Sequence, residues 1–184
     1  ELILAVKETL ANYDIRNIVL DPVMVATSGD KLLEDEAIDT LKKELIPFVR
    51  VITPNIPEAE ILLGRKITCQ ADLPLVVKDL SAGGAVSVLL KAGHLTEKEL
   101  VDIFYNAETD EIVQLKSERI DTLNTHGTGC TFSSAVTSFL AHGLPLTDAV
   151  IKAKEYMVEA IKAGSDYEIG KGHGPVHHFF KFWE

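Results

Sequence analysis

Short, uninterrupted apolar runs alternate with amphipathic segments along most of this chain, and this alternation is the feature that most restricts its fold. The runs NIVLDPV, VRVIT and AVSVLLKAG are predicted strands. Strands that are apolar on both faces are typical of a parallel sheet covered by helices on each side. The alternation therefore predicts a three-layer α/β domain with a mostly parallel central sheet flanked by helices.

Apolar residues spaced three or four apart mark the helical segments. We expect helices over 2–13, 34–48, 57–64, 70–82, 129–142 and 147–163. Pro47 is expected to stop the second of these helices, and Thr147 to cap the last one. The runs LVDIFYN and EIVQL flank a predicted turn and indicate an antiparallel strand pair.

The composition narrows the classes of function. The 184 residues suffice for one domain, so we assign 1–184 to a single domain. The net charge of -10, with no run of Lys or Arg, argues against nucleic acid as the partner. No apolar stretch is long enough to span a membrane, and two isolated cysteines form neither a disulfide framework nor a zinc cluster. We therefore expect a cytoplasmic protein with no membrane partner.

The strongest local motif is Gly127-Thr128-Gly129-Cys130, which leads into an apolar helix. Glycines let backbone amides approach a ligand closely, and the N-terminus of a helix has unpaired N–H groups that favour an anion. A tight turn that merely caps a helix is an equally good interpretation of this pattern. The motif is not a Walker A loop, because no G-x-x-x-x-G-K-[ST] occurs in the chain.

Cys130 is expected in the first turn of that helix. Unpaired amides at this place stabilise a thiolate relative to a thiol, so the sulfur can accept a proton from an attacking hydroxyl group. The alternative is a small buried core residue, which is the more common role of a free cysteine.

Polar residues follow three predicted strands, where ligands of parallel α/β sheets bind. Asp21 is suited to hold hydrated magnesium, and Asn55 and Glu58 offer an amide and a carboxylate one helical turn apart. Helix capping is the alternative role of Asn55 and Glu58. Lys91 ends the most apolar strand and presents its charge either to solvent or to a phosphate, while Gly93 permits close backbone approach.

Taken together, the stretches DPVMVATSGDKLL, ITPNIPEAEILLG, LLKAGH, RIDTLNTHGTGCTFSSA and GKGHGPV resemble the hydroxymethylpyrimidine/phosphomethylpyrimidine kinases of thiamine biosynthesis. These enzymes belong to the ribokinase-like superfamily, close to a pyridoxal kinase branch. The resemblance covers essentially the whole chain. It implies one ribokinase-like α/β domain that transfers the γ-phosphate of ATP to a pyrimidine hydroxymethyl group and then phosphorylates the monophosphate.

The resemblance also assigns roles around the glycine-rich turn. Gly127, Thr128 and Gly129 would form the anion hole for the transferring phosphoryl group. Cys130 occupies the position of the catalytic base, where many members of the superfamily carry aspartate. Val23 would line the pocket for the small-molecule substrate.

The remaining implied roles concern the cofactors ATP and Mg²⁺. Asp21 and Glu58 would organise magnesium and its waters together with Asn55, which also lies on the nucleotide side. Lys91 and Gly93 would lie beside the nucleotide. Relatives of this kind are commonly homodimers, so a homodimer is expected.

Two departures from the family pattern stand out. Thr27 occupies a position where many relatives have lysine. The chain also begins with Glu1 inside a predicted helix, and the N-terminal part of the family domain, with much of the pyrimidine pocket, is expected to precede it. Two alternative functions therefore stay open, namely a pyridoxal or pyridoxine kinase on the same scaffold and a non-catalytic phosphate-binding module.

Overall fold

The predicted site lies at the edge of the sheet where the parallel strands end. The computed structural model describes residues 1–26, 30–81, 86–95 and 99–183. Within these ranges the strands are β1 (Val19–Leu20), β2 (Val51–Ile52), β3 (Ser87–Leu90), β4 (Glu99–Asn106) and β5 (Glu111–Glu118). They form one sheet in the order β1-β2-β3-β4-β5. The first three strands pair in parallel, whereas β4 is antiparallel to both of its neighbours. All the strands except β4 therefore share one direction, which confirms the predicted mostly parallel sheet.

The helices in the described ranges occur where the apolar spacing predicts them. They are α1 (Leu2–Ala11), α2 (Asp35–Thr40), α3 (Ile56–Leu63), α4 (Leu73–Leu80), α5 (Thr128–Ala141) and α6 (Leu146–Gly164). Helix α2 continues as a wider π-helical turn (Leu41–Leu45) and a 3-10 turn (Ile46–Phe48). Another 3-10 turn, Gln70–Asp72, precedes α4. Among the helices that the structure describes, none is long and apolar enough to cross a bilayer.

Helices cover both faces of the sheet because successive strand residues point to opposite sides. In β3, Val88 and Leu90 pack in one core with α2, α3 and α4. Leu89, between them, packs on the other face with α5 and α6. The sheet is thus the middle of three layers, as predicted.

The structure differs from the sequence expectations at three local points. Strands β1 and β2 are only two residues long, because Pro22 and Pro54 follow closely and proline has no N–H for strand pairing. Pro47 does not stop its helix but lies within the closing 3-10 turn. Thr147 does not cap α6, which begins directly after Pro145. Instead, the Thr147 hydroxyl accepts a hydrogen bond from the side-chain amide of Asn106 at 3.0 Å.

Asn124 fastens the C-terminal segment to the turn that precedes α5. Its buried side-chain amide donates to the carbonyl oxygens of Gly164 and Tyr167 at 2.7 and 2.6 Å. The backbone N–H of His126 donates to the carbonyl oxygen of Gly174 at 3.0 Å. The start of α5 is therefore held in place by the end of α6 and by the segment that follows it.

This attachment leaves no room for a side chain at Gly174, because a methyl group there would overlap the Asn124 side-chain oxygen. We expect Gly174→Ala to lower the free energy of unfolding by about 1–3 kcal/mol through overpacking. Gly172→Ala is the matched control, since a methyl group at that position has no neighbour within 4 Å. Urea denaturation of both variants measures the difference, and equal stabilities would contradict the described packing around Asn124.

Candidate active site

The carboxyl ends of three parallel strands meet at one edge of the sheet. Asp21 directly follows β1, and Lys91 directly follows β3. Asn55, shortly after β2, forms an isolated parallel bridge with Lys91, and the Lys91 N–H donates to the carbonyl oxygen of Pro54 at 2.9 Å. The strand-end residues that the sequence singles out are therefore neighbours in space.

An ion pair joins the outer two of these strand ends. Lys91 Nζ donates to Asp21 Oδ1 at 2.8 Å, and each side chain is only 14% exposed. Gly129 lies directly against the pair, since a methyl group on Gly129 would be 3.2 Å from Lys91 Nζ and 3.6 Å from Asp21 Oδ2. The absence of a side chain at Gly129 allows the helix N-terminus to approach the two charges.

The turn that opens α5 has the geometry expected of an anion-binding site. Gly127 adopts a left-handed conformation with φ of 84°, which favours glycine, and no side chain caps the helix. The N–H groups of Gly129 and Cys130 donate no hydrogen bond to any described residue. These two amides point out of the first turn of a helix, where they favour negative charge.

The two thiols occupy different surroundings. Cys130 is exposed and follows Gly129 in the first turn of α5. Cys69 is half-buried, and its Sγ donates to Asp72 Oδ2 at 3.3 Å. The interpretation of Cys130 as a buried core residue is therefore wrong, and its thiol is accessible beside the turn.

Asn55 and Glu58 form a capping box at the start of α3. The Glu58 N–H donates to Asn55 Oδ1 at 2.9 Å, and the Asn55 N–H donates to Glu58 Oε2 at 2.8 Å. The helix-capping interpretation of this pair is confirmed. It does not exclude a role for Glu58 in the site, because only one of its two carboxylate oxygens is used in the box.

Glu58 shares the electrostatic environment of the ion pair. Burial raises the pKa of its carboxyl group above the ordinary value of 4.5. The negative charge of Asp21 also raises this pKa, whereas the amides of Asn55 and Met24 and the positive charge of Lys91 oppose the increase. Two carboxyl groups and one ammonium group therefore interact at this edge of the sheet.

The two carboxylates fit a hydrated magnesium ion better than a fully enclosed one. Asp21 Oδ1 already accepts hydrogen bonds from Lys91 at 2.8 Å and from Thr53 at 3.0 Å. In the described part of the chain, no group of three or more His, Cys, Asp or Glu side chains is placed to hold a metal. Mg²⁺ commonly keeps several waters and takes one or two carboxylates together with substrate phosphates. Asp21 and Glu58 suffice for that mode of binding.

Two predicted residues lie at the border of this group. Val23 is 44% exposed, and its N–H donates to the carbonyl oxygen of Asp21 at 2.9 Å. Gly93 is exposed two residues after Lys91. Its carbonyl oxygen accepts a hydrogen bond from Arg119 Nη1 at 3.3 Å. Thr27, the position of the expected lysine, lies outside the described residues.

Sequence reasoning missed the buried and distant residues that hold the site in place through hydrogen bonds. Thr53, directly after β2, and Ser133, on α5, are buried residues whose hydroxyl oxygens lie 2.8 Å apart. Arg119 donates to the carbonyl oxygens of Gly93 and Leu95 and so holds the turn after β3. No spacing rule connects these partners, because the contacts join distant parts of the chain.

A helix N-terminus that lies against a lysine and a carboxylate, on a three-layer α/β fold, is the arrangement expected of a phosphotransferase of the ribokinase-like kind. A family model described as "Phosphomethylpyrimidine kinase" matches residues 1–177. The chain belongs to the phosphomethylpyrimidine kinase family, whose members are kinases of thiamine biosynthesis.

Individual relatives agree with this assignment. The hydroxymethylpyrimidine/phosphomethylpyrimidine kinase of Rhizobium meliloti is 45% identical over 100% of this chain, which spans 68% of that enzyme. The thiamine biosynthesis bifunctional protein ThiED of Geobacter sulfurreducens is 43% identical over 97% of the chain, which spans 36% of that protein. Among solved structures, pyridoxal kinase from Staphylococcus aureus in complex with ADP has a TM-score of 0.87 at 31% identity. That match covers 98% of this chain and 65% of the pyridoxal kinase.

The variant Glu58→Gln separates the helix-capping role of Glu58 from its role in the site, because glutamine can also complete a capping box. We expect turnover to fall by about 10- to 100-fold, as for other groups that organise a metal site. Glu60→Gln is the matched control on the same helix, since Glu60 bonds Lys66 and the Ile67 amide and has no contact with the site. Full activity of Glu58→Gln would contradict a role of this carboxylate in the site.

The pH dependence of stability provides a second readout for the same variant. Because folding raises the pKa of Glu58, the folded state keeps the carboxyl proton up to a higher pH than the unfolded state does. The free energy of unfolding of the wild type should therefore fall relative to that of Glu58→Gln. The fall should begin as the pH rises past the ordinary value of 4.5 and end above the raised pKa. Denaturant titrations across this window measure the change, and a constant difference would contradict the raised pKa.

Proposed function

We propose that this chain transfers the γ-phosphate of ATP to the hydroxymethyl group of 4-amino-5-hydroxymethyl-2-methylpyrimidine, and then phosphorylates the monophosphate. The observation that carries this proposal is the contact of Gly129 with the Asp21–Lys91 ion pair. The start of α5, whose Gly129 and Cys130 amides have no acceptor among the described residues, lies against a lysine and a carboxylate. Phosphoryl transfer depends mainly on such positioning and on stabilisation of the charge on the transferring group.

In this proposal, different residues bind the phosphoryl group, accept the proton and contact the substrate. Within the Gly127-Thr128-Gly129 turn, the Thr128 N–H already donates to the carbonyl oxygen of Thr125 at 3.3 Å. The amides of Gly129 and Cys130 therefore hold the oxygens of the transferring group, and Lys91 contributes positive charge beside them. The Cys130 thiolate accepts the proton of the substrate hydroxyl group. The substrate oxygen forms a bond to the γ-phosphorus while the bridging bond to the β-phosphate breaks, and ADP leaves. Val23 contacts the pyrimidine ring on the exposed side of the turn after β1.

We include Mg²⁺ in this proposal as a second cofactor. Bound Mg²⁺ would neutralise charge on the ATP phosphates. Asp21 and Glu58 would hold its waters, and Asn55 keeps Glu58 in place through the capping box. The excess of two carboxylates over one lysine favours a cation here.

A pyridoxal kinase is the second candidate function, favoured by the similarity to pyridoxal kinase from Staphylococcus aureus. Pyridoxal also carries a ring-borne hydroxymethyl group, so the residues around Gly129 serve either substrate. ATP consumption coupled to a reporter enzyme distinguishes the candidates when hydroxymethylpyrimidine, its monophosphate and pyridoxal are supplied separately. We expect turnover with both pyrimidines, and turnover with pyridoxal alone would contradict the first proposal.

The exposed thiol favours an enzyme over a non-catalytic phosphate-binding module, because anion binding by backbone amides requires no thiol.

We further propose that the chain acts as a cytoplasmic homodimer. Phe182 and Trp183, which are 81% and 66% exposed, supply apolar surface for self-association. Light scattering at several protein concentrations measures the molecular mass, and a monomeric mass throughout would contradict the homodimer.

The proposed base is tested by Cys130→Ser. We expect turnover to fall by about 10²- to 10⁴-fold, the usual contribution of a general base, because a serine hydroxyl is a far weaker proton acceptor than a thiolate. The affinity for ATP should be retained, since the backbone amides remain. Cys69→Ser is the matched control and should keep full activity. Steady-state kinetics and ATP titration measure both quantities, and unchanged turnover would remove Cys130 from the mechanism.

A further inference from the structure

Thr53 connects the carboxylate at the end of β1 to the first turns of α5. It lies at the carboxyl end of β2 with no exposed surface. Its hydroxyl oxygen is 3.0 Å from Asp21 Oδ1 and 2.8 Å from Ser133 Oγ. Ser133 Oγ is in turn 3.0 Å from the carbonyl oxygen of Gly129. A series of buried polar contacts therefore connects Asp21 to Gly129, the residue that lies against the ion pair.

Two hydroxyl protons serve the three contacts of this series, because Thr53 can donate to Asp21 or Ser133 and Ser133 can donate to Gly129 or Thr53. Each hydroxyl group has a single proton to donate, and the ionised Asp21 carboxylate can only accept. The carbonyl oxygen of Gly129 has two lone pairs, so it can accept the Ser133 hydroxyl group as well as a backbone N–H of the helix. Ser133 thus donates to Gly129, and Thr53 donates to Asp21.

Two hydrogen bonds constrain the Asp21 carboxylate. Oδ1 accepts one from Thr53, directly after β2, and one from Lys91, directly after β3. Without Thr53, Lys91 would be the remaining described donor to Asp21, and the carboxylate could rotate about that single contact. With Thr53, the carboxylate keeps its orientation, and α5 stays at a fixed distance from it through Ser133.

We propose that Thr53 is a positioning residue, which holds the Asp21 carboxylate in register with the amides of Gly129 and Cys130. This inference rests on the proposed phosphotransferase function. It specifies how the carboxylate and the backbone amides of the site are aligned. Packing alone does not require the hydroxyl group, because valine has nearly the same shape. Removing the hydroxyl group leaves buried partners at Asp21 and Ser133 without that contact, which lowers the free energy of unfolding.

The decisive comparison is between Thr53→Val and Thr53→Ser. We expect Thr53→Val to remain folded while its kcat falls by about 10- to 100-fold, the usual loss for residues that orient metal-site ligands. The Mg²⁺ concentration for half-maximal activity should rise, and the KM for ATP should change much less than kcat. Thr53→Ser keeps the hydroxyl group and should restore both kcat and the Mg²⁺ requirement. Thr137→Val, on the exposed side of α5, is the matched control and should behave as wild type.

A binding measurement separates this inference from the proposed function. Titration calorimetry with ATP should give the same affinity for wild type and Thr53→Val without Mg²⁺, and a weaker affinity for the variant with Mg²⁺. If the wild type phosphorylates none of the alcohols, the proposed function is wrong, but this difference still tests the positioning role. Wild-type kcat and Mg²⁺ requirement in Thr53→Val would overturn the inference. Equal defects in Thr53→Val and Thr53→Ser would overturn it as well.

Discussion

The Asp21–Lys91 ion pair beneath Gly129 is the interaction on which the arrangement of this site depends. Removing two charges from water costs several kcal/mol per ion, so a largely buried pair is a weak source of stability. Here the pair lies at a sheet edge where a helix N-terminus meets it without an intervening side chain. The pair keeps charges of both signs at the edge where the proposed site would bind phosphate and a cation.

The rest of the fold holds the two sides of that contact together. The parallel strands β1, β2 and β3 place Asp21, Asn55 and Lys91 at one edge. Helices α5 and α6 pack on one face of the sheet, and the Asn124 hydrogen bonds secure the chain just before α5. The layers and the buried hydroxyl chain therefore determine where the free amides of α5 point.

Sequence patterns predict the parts of the site whose cause is local. The glycines around Thr128 mark the turn before α5, and the strand-end rule brings Asp21 and Lys91 to one edge. The sequence also indicates the capping box of Asn55 and Glu58, because its partners are three residues apart. It does not indicate contacts between distant segments. Thr53 and Ser133 are 80 positions apart, and either hydroxyl group, taken alone, resembles an ordinary polar residue in a strand or helix.

A crystal structure of the chain with a non-hydrolysable ATP analogue, Mg²⁺ and the pyrimidine alcohol tests the central claim most directly. The account predicts γ-phosphate oxygens within about 3.2 Å of the Gly129 and Cys130 amide nitrogens, with Lys91 beside them. It also predicts the Cys130 sulfur next to the substrate hydroxyl group. A γ-phosphate bound away from the start of α5, or a substrate hydroxyl group remote from Cys130, would contradict the account.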